Sequence, residues 1–414
     1  MRQGFRLSVL RTSTVLLKPK EESVLKGYAE DSSILWNIAN YERRMAWREH
    51  DKTPTYASQC KEFKTNESFK ELGTCKAQAL LAKLNEAWQS FFSLVRLRKQ
   101  GKLPPHIRKL SPPRYLKEKG VRIANAFYVR NDGWSLKGEI LSIGKTKIPF
   151  QHGKIWAGRR GRLEIRRDKL LGKWYAYIPV EAETPPSREA TKMAALDIGI
   201  CNLAALYVED EKPTVYSGRA VLSDWVYRTK RIAELQSKLP KRRHSSKLID
   251  LLYRCRMRRL RHALYSMCRD IFKRLDESGV GVLAIGDLTG IRENENHGRN
   301  GNQKLHNFWT FGIIERRLKE LGEEMGIAVR KVSERDTSRT CCLCGKRHNG
   351  RKYRGLMVCE ESHRSVNADV NGAVNILNVA VGRFPSSLAQ IKGTSGSGLL
   401  EEPLMRRWSY DEWR

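Results

Sequence analysis

The spacing of apolar side chains predicts a first half made of strands around a block of helices. Residues 2–18 alternate between apolar and polar side chains, which is typical of a strand. From about residue 20 to 98 the apolar positions recur at helical spacing, and a Pro-rich connection follows over residues 101–113. Short strands are predicted again between about residues 121 and 180. We therefore expect the first strand and these later strands to form a small β-barrel, with the helical block as an insert.

A Pro-containing linker at residues 183–187 precedes a second pattern, in which longer apolar strands alternate with helices. A strongly basic helical region is predicted from about residue 225 to 275. The tail has no periodicity and contains a Gly/Ser cluster, so residues 383–414 are expected to be largely disordered. The chain is accordingly predicted to be a multidomain α+β protein. The strands predicted beyond the linker lie at residues 193–196, 203–208, 281–288 and 327–332.

The charge balance indicates a polyanionic partner. The 414 residues include 78 Lys and Arg against 45 Asp and Glu, which gives a net charge of +33. A charge this large opposes compaction and favours binding to nucleic acid, although a generally adhesive basic surface is the alternative. No apolar run approaches the ~18–20 residues of a membrane span, and the start of the chain resembles no signal peptide. We therefore expect no membrane partner and a cytoplasmic, nucleoid-associated location in a prokaryote.

Four acidic residues stand at the ends of predicted elements. Asp197, Asp287 and Glu334 each end an apolar strand, and Asp369 opens a helical pattern. Mg²⁺ prefers oxygen ligands, and two-metal phosphodiester hydrolysis needs carboxylates on rigid elements around ions ~3.5–4 Å apart. Any one of these residues is also explained as a helix cap or a turn residue. The four together predict a two-metal Mg²⁺ site where the strand ends meet.

The cysteines predict a second metal site. Four of the nine cysteines fall within residues 341–359, which favours zinc over a disulfide framework in a chain of this length. Cys341 and Cys344 are separated by two residues, and two thiolates at this spacing fit a tetrahedral zinc ion across a tight turn. Reduced cysteines without a metal are the alternative.

Two segments concentrate basic side chains. Residues 241–262 contain nine Lys or Arg above a helical apolar strip, and residues 158–167 combine arginines with glycines that allow close approach to phosphate. A charge run is commonly only the solvated face of a helix, but the overall excess favours a phosphate track for RNA or an RNA–DNA heteroduplex. The predicted nucleic-acid contacts are Arg159, Arg160, Arg162, Lys241, Arg242, Arg243, Arg254, Arg256, Arg258 and Arg259.

Three motifs together resemble the split RuvC nuclease domain of TnpB (OrfB) proteins. TnpB proteins are transposon-encoded, RNA-guided DNA endonucleases related to small type V CRISPR effectors and to Fanzor proteins. The resemblance implies an RNase H-like domain that cleaves double-stranded target DNA with Mg²⁺, guided by an RNA derived from the transposon's own end. The motifs are Asp197-Ile198-Gly199, Thr337-Ser338-x-x-Cys341-x-x-Cys344-Gly345 and Asp369-x-Asn371-Gly372-Ala373-x-Asn375-Ile376.

The same resemblance gives names and limits to the predicted domains. It is close over the C-terminal half and matches the basic first half in layout only. It implies a wedge-type β-barrel, a helical recognition insert, and a RuvC-like α/β nuclease domain with an inserted zinc-binding module. The limits are residues 1–18 and 106–186 for the barrel, 19–105 for the recognition insert, 187–382 for the nuclease domain and about 337–366 for the zinc module.

The chain departs from TnpB proteins at one catalytic position. Gly286 occupies the place of the glutamate that usually supplies the second carboxylate, and glycine binds no metal. Some relatives use a relocated glutamate just before the Thr-Ser motif, where this chain has Glu334. The resemblance therefore implies Asp197, Glu334 and Asp369 as the catalytic residues. Asp287 is a lesser candidate, and a catalytically inactive copy is the alternative.

A second departure concerns zinc. The family has another Cys-x-x-Cys, whereas this chain has Cys359 followed by Ser362 and His363. Because serine is a poor zinc ligand, His363 is predicted to complete a Cys₃His set, with Cys342 and His348 as the alternatives. The predicted ligands are Cys341, Cys344, Cys359 and His363.

The predicted function is that of an RNA-guided, Mg²⁺-dependent DNA endonuclease associated with transposition. One alternative is a nuclease-inactive, guide-RNA-directed DNA-binding repressor with the same architecture. The other is an accessory transposase subunit, which rests only on a shared RNase H-like fold, and a fold does not determine function.

Overall fold

The computed structural model describes residues 8–118, 120–152, 155–189, 191–291, 296, 298–334, 337–347, 355–382 and 400–414. The described chain divides into two compact units, Ser8–Glu183 and Thr184–Arg414. Each unit has its own β-sheet and hydrophobic core. No helix among the described residues is both long and apolar enough to cross a membrane.

The first unit is an antiparallel sheet with a helical insert after its first strand. In the last strand every second residue from Trp174 to Ala182 is buried, as the two-residue period of a strand requires when one face meets a core. The elements are β1 (Ser8–Leu17), α1 (Glu22–His50), α2 (Tyr56–Glu62), α3 (Glu67–Leu72), α4 (Thr74–Lys99), β2 (Lys117–Glu118), β3 (Val121–Arg122), β4 (Ala126–Val129), β5 (Trp134–Lys137), β6 (Ile140–Ile143), β7 (Thr146–His152), β8 (Arg159–Arg160), β9 (Leu163–Arg167) and β10 (Trp174–Glu183).

The strand order of this sheet is β4-β9-β10-β1-β7-β6-β5, with β8 also paired to β10. No pairing between β4 and β5 is present in the part of the chain that the structure describes, so closure into a barrel stays a prediction. The helical insert has its own core, in which Leu81, Leu84 and Trp88 of α4 are fully buried one turn apart. Helical spacing in the sequence therefore marks a packed face.

The second unit is a mixed sheet covered by helices on both faces. Its strand order is β15-β14-β11-β12-β13-β18-β19. Its elements are β11 (Lys192–Asp197), β12 (Asn202–Val208), β13 (Thr214–Ser217), α5 (Arg219–Ser237), α6 (Lys247–Glu277), β14 (Val280–Gly286), α7 (Gly298–Gln303), α8 (Phe311–Met325), β15 (Ala328–Val332), β16 (Leu356–Val358), β17 (Ser365–Asn367), α9 (Ala368–Ala380), β18 (Leu404–Ser409) and β19 (Glu412–Trp413).

The two faces of this sheet differ in side-chain size. Leu196 and Ile285 point to the face packed by α6 and α8, whereas Ala195 and Ala284 point to the face packed by α9. Because successive strand residues point to opposite faces, Asp197 lies on the same face as Ala195. The small alanines let α9 pack closely, and the helix thereby covers the face that carries Asp197.

The prediction of a disordered tail over residues 383–414 is wrong for residues 400–414, and residues 383–399 lie outside the described residues. β18 adds to the sheet in parallel with β13, with Thr214 opposite Leu404. Trp413 is buried, its Nε1 donates to the carbonyl oxygen of Ala263 at 3.0 Å, and its ring stacks edge-on against Tyr216 at 5.4 Å. The tail is ordered by its contacts with β13 and α6, which are distant in the sequence, and these contacts leave no periodic pattern in the tail itself.

Replacing Trp413 with alanine is expected to destabilise the second unit. Removal of a buried tryptophan costs about 3–5 kcal/mol through lost burial and the cavity left behind. The midpoint of thermal unfolding should fall by several degrees, as measured by calorimetry on the full chain. Tyr410, which is 88 % exposed three residues earlier, provides the matched control. An equal midpoint for Trp413→Ala and Tyr410→Ala would contradict the structural role of the tail.

Candidate active site and metal cluster

Three neighbouring parallel strands carry acidic residues to one edge of the second sheet. β14 pairs in parallel with both β11 and β15, so the carboxyl ends of all three strands meet at this edge. Asp197 is the last residue of β11, Asp287 follows β14 directly, and Glu334 follows β15 by two residues. Strand order thus brings together residues that are up to 137 positions apart in the sequence.

Asp369 reaches the same edge from helix α9. Asn367 caps this helix, and its Oδ1 accepts from the backbone N of Asp369 at 2.9 Å. One turn further, Gly372 faces Asp197 so closely that a Cβ there would lie 2.4 Å from Asp197 Oδ2. Because residues three apart share a helix face, the carboxylate of Asp197 lies beside the turn that begins with Asp369. Asn202 Nδ2 donates to Asp369 Oδ2 at 2.7 Å and so orients that carboxylate.

Glu334 occupies the space that a side chain at position 286 would fill. A Cβ on Gly286 would lie 1.6 Å from Glu334 Oε1 and 2.3 Å from Glu334 Cδ. Oε1 of Glu334 is buried and has no hydrogen-bond partner in the described part of the chain. Burial, and secondly the charge of Asp287, raises the pKa of Glu334. A buried carboxylate oxygen without a hydrogen-bond donor is chemically suited to bind a cation.

Asp287 has a different environment at the same edge. It is exposed, and its Oδ1 accepts from the backbone N of Thr289 at 3.1 Å and from Thr289 Oγ1 at 2.6 Å. These hydrogen bonds, with the nearby Lys331 ammonium, lower the pKa of Asp287. Asp287 therefore shapes the turn after β14, and this explains it without a metal.

The carboxylates are not packed as tightly as a single-ion cage. Among the described residues, the only group of three or more Cys, His, Asp or Glu with ligand atoms within 4.8 Å of one another is made of cysteines. The oxygen donors and the orphan oxygen of Glu334 fit Mg²⁺, which retains several waters and takes few protein ligands.

The cysteine group consists of Cys341, Cys344 and Cys359, whose Sγ atoms all lie within 4.8 Å of one another. Cys341 and Cys359 are fully buried. Burial raises the pKa of the Cys341 thiol, and it raises that of Cys344 to about 12. Thiols held this close fit a thiophilic cation such as Zn²⁺, which binds them as thiolates and releases their protons.

Two buried asparagines join the cysteine loop to the helix of Asp369. Asn371 Oδ1 accepts from the backbone N of Cys342 at 2.8 Å, and its Nδ2 donates to the carbonyl oxygen of Thr340 at 2.8 Å. Asn375 Nδ2 donates to the carbonyl oxygens of Thr337 and Thr340 at 2.8 and 2.7 Å. The sequence reasoning missed this role, although two asparagines four residues apart in an apolar helix were a signal.

The structure does not bring the predicted fourth zinc ligand into the group. His363 is exposed, and its imidazole is not within the 4.8 Å group of the three sulfurs. Its backbone has a positive φ of 54° and closes a turn by donating from N to the carbonyl oxygen of Cys359 at 3.0 Å. Cys342 is buried but also lies outside the group, and His348 lies outside the described residues.

The ten predicted nucleic-acid contacts fall into two classes. Three are half-buried and engaged within the protein: Arg162 pairs with Glu86 at 2.7 and 2.8 Å, Arg259 Nε donates to Asp224 at 3.1 Å, and Arg256 stacks on Trp225 and Tyr253 at 4.9 Å. Of the exposed residues, Arg160 lies over the Trp134 ring at 5.4 Å, and Arg243 Nε donates to the carbonyl oxygen of Ser245 at 3.3 Å. Arg254 is exposed and has a partner of its own. The residues whose side chains remain exposed at a strand, turn or helix surface are Arg159, Arg160, Lys241, Arg242, Arg243 and Arg258.

Comparison with known proteins identifies the family. A family model described as "Probable transposase" matches residues 177–292, and one described as "Cas12f1-like, TNB domain" matches residues 311–376. The TnpB-like protein ORF457 of Acidianus two-tailed virus is 31 % identical over 407 residues, which covers 90 % of this chain and 87 % of the relative. This chain belongs to the TnpB-like protein family. The two models together span Asp197, Gly286, Glu334, the cysteine group and Asp369.

Solved structures support the fold of this TnpB-like protein. A Cas12f1–sgRNA–target DNA complex contains a chain that superposes with a TM-score of 0.53 at 14 % identity, covering 86 % of this chain and 82 % of that one. The mini-RNA-guided endonuclease CRISPR-Cas_phi3 superposes with a TM-score of 0.56 at 10 % identity, covering 90 % and 92 %. At these identities the likeness concerns the mixed α/β fold alone.

Proposed function

We propose that this TnpB-like protein is an RNA-guided DNA endonuclease associated with transposition. In this proposal Asp197, Glu334 and Asp369 hold two Mg²⁺ ions at the carboxyl edge of β11, β14 and β15. The observation that supports it most is the fit of the Glu334 carboxylate into the space left by Gly286, with a buried oxygen that no donor among the described residues satisfies. A glycine at the usual glutamate position is thus matched by a carboxylate delivered from the neighbouring strand.

The protein's own groups would place the ions and the scissile phosphate. Bound Mg²⁺ would activate a water nucleophile and stabilise the leaving oxygen. Asn202 would keep one oxygen of Asp369 occupied and so direct the other towards the ions. Asp197 would be held against Gly372, where no side chain competes for its position. Burial of Glu334 beside Asp287 disfavours its ionised form, and a cation at Oε1 would reverse this.

The partners in this proposal are a guide RNA derived from the transposon end and a double-stranded target DNA. The family relation and the net charge of +33 support both. The first unit would serve as the wedge barrel with the recognition insert Glu22–Lys99, and the second as the RuvC-like nuclease domain. A structural Zn²⁺ at the cysteine group would brace the loop that α9 holds through its asparagines.

The protein purified from its host is expected to carry one dominant RNA of defined length. With that RNA, a target flanked by the correct short motif and Mg²⁺, it should cleave DNA. Recovery of only random RNA fragments would refute guided function. If the wild-type protein binds the target DNA under RNA guidance but does not cleave it, the alternative function of a nuclease-inactive repressor is established instead.

The exposed turn at Lys241, Arg242 and Arg243 is expected to contribute to RNA affinity through phosphate contacts. Replacing all three with alanine should weaken binding of the co-purified RNA and flatten its salt dependence, by roughly 0.7 to 0.9 in log–log slope per lost contact. Arg256→Ala is the control, because Arg256 stacks inside the protein and should alter thermal stability rather than the slope. An unchanged slope in the triple variant would exclude this turn from the RNA surface.

A further inference from the structure

The cysteine group is built from two turns with the same backbone geometry. In the first, Gly345 N donates to the carbonyl oxygen of Cys341 at 2.8 Å, and Cys341 N donates to that of Lys346 at 2.9 Å. Gly345 has a positive φ of 76°. The residue before it, Cys344, supplies the second sulfur of this turn.

The second turn repeats this pattern residue for residue. His363 N donates to the carbonyl oxygen of Cys359 at 3.0 Å, and Cys359 N donates to that of Arg364 at 2.8 Å. His363 has the positive φ, at 54°, and therefore corresponds to Gly345 of the first turn. Ser362 corresponds to Cys344, and its backbone N donates to Cys359 Sγ at 3.4 Å.

This correspondence bears on whether Ser362 or His363 has the place of the fourth ligand. The residue with positive φ closes each turn, and in the first turn that residue is a glycine, which has no side chain to offer a metal. In the first turn the residue before it, Cys344, belongs to the sulfur group, and Ser362 has the equivalent place in the second turn. His363 is exposed and outside the sulfur group, as its place in the turn requires.

We infer that Ser362 stands at the fourth ligand position of a zinc site with three thiolates, so that an oxygen ligand, the serine hydroxyl or a water, completes the tetrahedron. An exposed oxygen ligand is weaker and more exchangeable than a thiolate at the same place. The site should therefore hold zinc less tightly than a four-cysteine site and should respond to the free zinc concentration. This inference rests on zinc binding in the proposed function.

Loss of zinc would be transmitted to the acidic edge through a short path. Cys359 lies between β16 and β17, which pair with Leu356 opposite Asn367. Asn367 caps α9 and holds the backbone of Asp369. Zinc occupancy and the position of Asp369 are thus linked through one hairpin and the first turn of α9, fewer than a dozen residues along the chain.

The test measures zinc affinity of the full chain by competition with a chromophoric chelator, for the wild type and for Ser362→Cys, Ser362→Ala and His363→Ala. Ser362→Cys should bind zinc more tightly, by at least the roughly 10–100-fold that an outer-shell partner contributes. His363→Ala should match the wild type, and Ser362→Ala should stay within a few-fold because water replaces the hydroxyl. With Co²⁺ as probe, Ser362→Cys should gain thiolate charge-transfer absorption.

Several results would overturn the inference. Loss of zinc from His363→Ala would show that the imidazole is the fourth ligand. Unchanged affinity and an unchanged cobalt spectrum in Ser362→Cys would show that position 362 does not face the ion. If all four proteins bind no zinc, the metal site itself is wrong, whereas the cleavage and RNA-binding tests of the proposed nuclease would be unaffected.

Discussion

Replacing Gly286 with alanine is expected to abolish guided cleavage, with a rate loss of ~10²-fold or more, while the protein stays folded. Gly286 does not have a positive φ, so its backbone accepts alanine. The added Cβ collides with the end of the flexible Glu334 side chain, which has to leave the pocket. Displacement of a metal-ligating carboxylate weakens the ion and misplaces the activated water. The measurement is single-turnover cleavage with the cognate RNA, together with the unfolding midpoint.

Two comparisons make this result specific. Gly312→Ala is the same chemical change in α8, where a Cβ meets nothing within 4 Å, and it should cleave like the wild type. The double variant Gly286→Glu/Glu334→Ala should cleave faster than Glu334→Ala, because it returns a carboxylate to the pocket from the other strand. Full activity in Gly286→Ala would show that the carboxylate of Glu334 is not a metal ligand.

Removal of the charge from Glu334 is expected to eliminate cleavage and to stabilise the metal-free protein. Glu334→Gln, like Asp197→Asn and Asp369→Asn, should lower the cleavage rate by ~10²-fold or more with guided DNA binding retained. An unsatisfied buried polar group costs about 1–3 kcal/mol, and more when it is charged. Glu334→Gln should therefore raise the unfolding midpoint of the metal-free protein at neutral pH by a few degrees.

The pH dependence of this effect has a defined sign. The pKa of Glu334 is raised in the folded protein, so the protonated form is the one that folding favours. Its contribution to stability is complete below the unfolded value of about 4.5 and is lost as pH rises through the raised folded pKa. Mg²⁺ should restore the midpoint at neutral pH in the wild type and much less in Glu334→Gln.

Asp287→Asn provides the matched control at the same edge. Hydrogen bonds from Thr289 lower the pKa of Asp287, so its charge stabilises the fold above the unfolded pKa and is lost as pH falls. We expect Asp287→Asn to keep most of the cleavage activity and to show no gain in metal-free stability. If Asp287→Asn abolishes cleavage while Glu334→Gln remains active, Asp287 rather than Glu334 is the metal ligand.

Local patterns were sufficient for several elements. The alternation of β10 and the helical stripe of α4 each reflect packing of one element against a core, and the sequence carries that signal directly. The spacing of Cys341 and Cys344 is a property of a single turn. Closure of the barrel was predicted from the strand pattern, and the functions of the domains were predicted from the family resemblance; both stay predictions.

Whether an individual basic side chain is engaged within the protein or exposed to solvent could not be predicted from its neighbours in the sequence. Arg162 meets Glu86 of α4, 76 residues earlier, and Arg256 stacks on Trp225 of the preceding helix. Both belong to basic runs in which other members, such as Arg159 and Arg258, remain exposed. A charge run shows how many cations a segment carries, but the chain that packs beside it determines which of them contact solvent.

The sequence by itself determined the family motifs, the strands and helices that carry the acidic residues, and the first half of the cysteine site, because each depends on residues close together along the chain. Only the tertiary structure decided that Glu334 fills the space of Gly286, that Trp413 anchors the tail, and that Ser362 rather than His363 corresponds to Cys344. The first two outcomes depend on strand order and on a distant helix, and pairings over such long separations leave no local pattern. The third depends on the backbone conformation of one turn, which the residue types alone did not give.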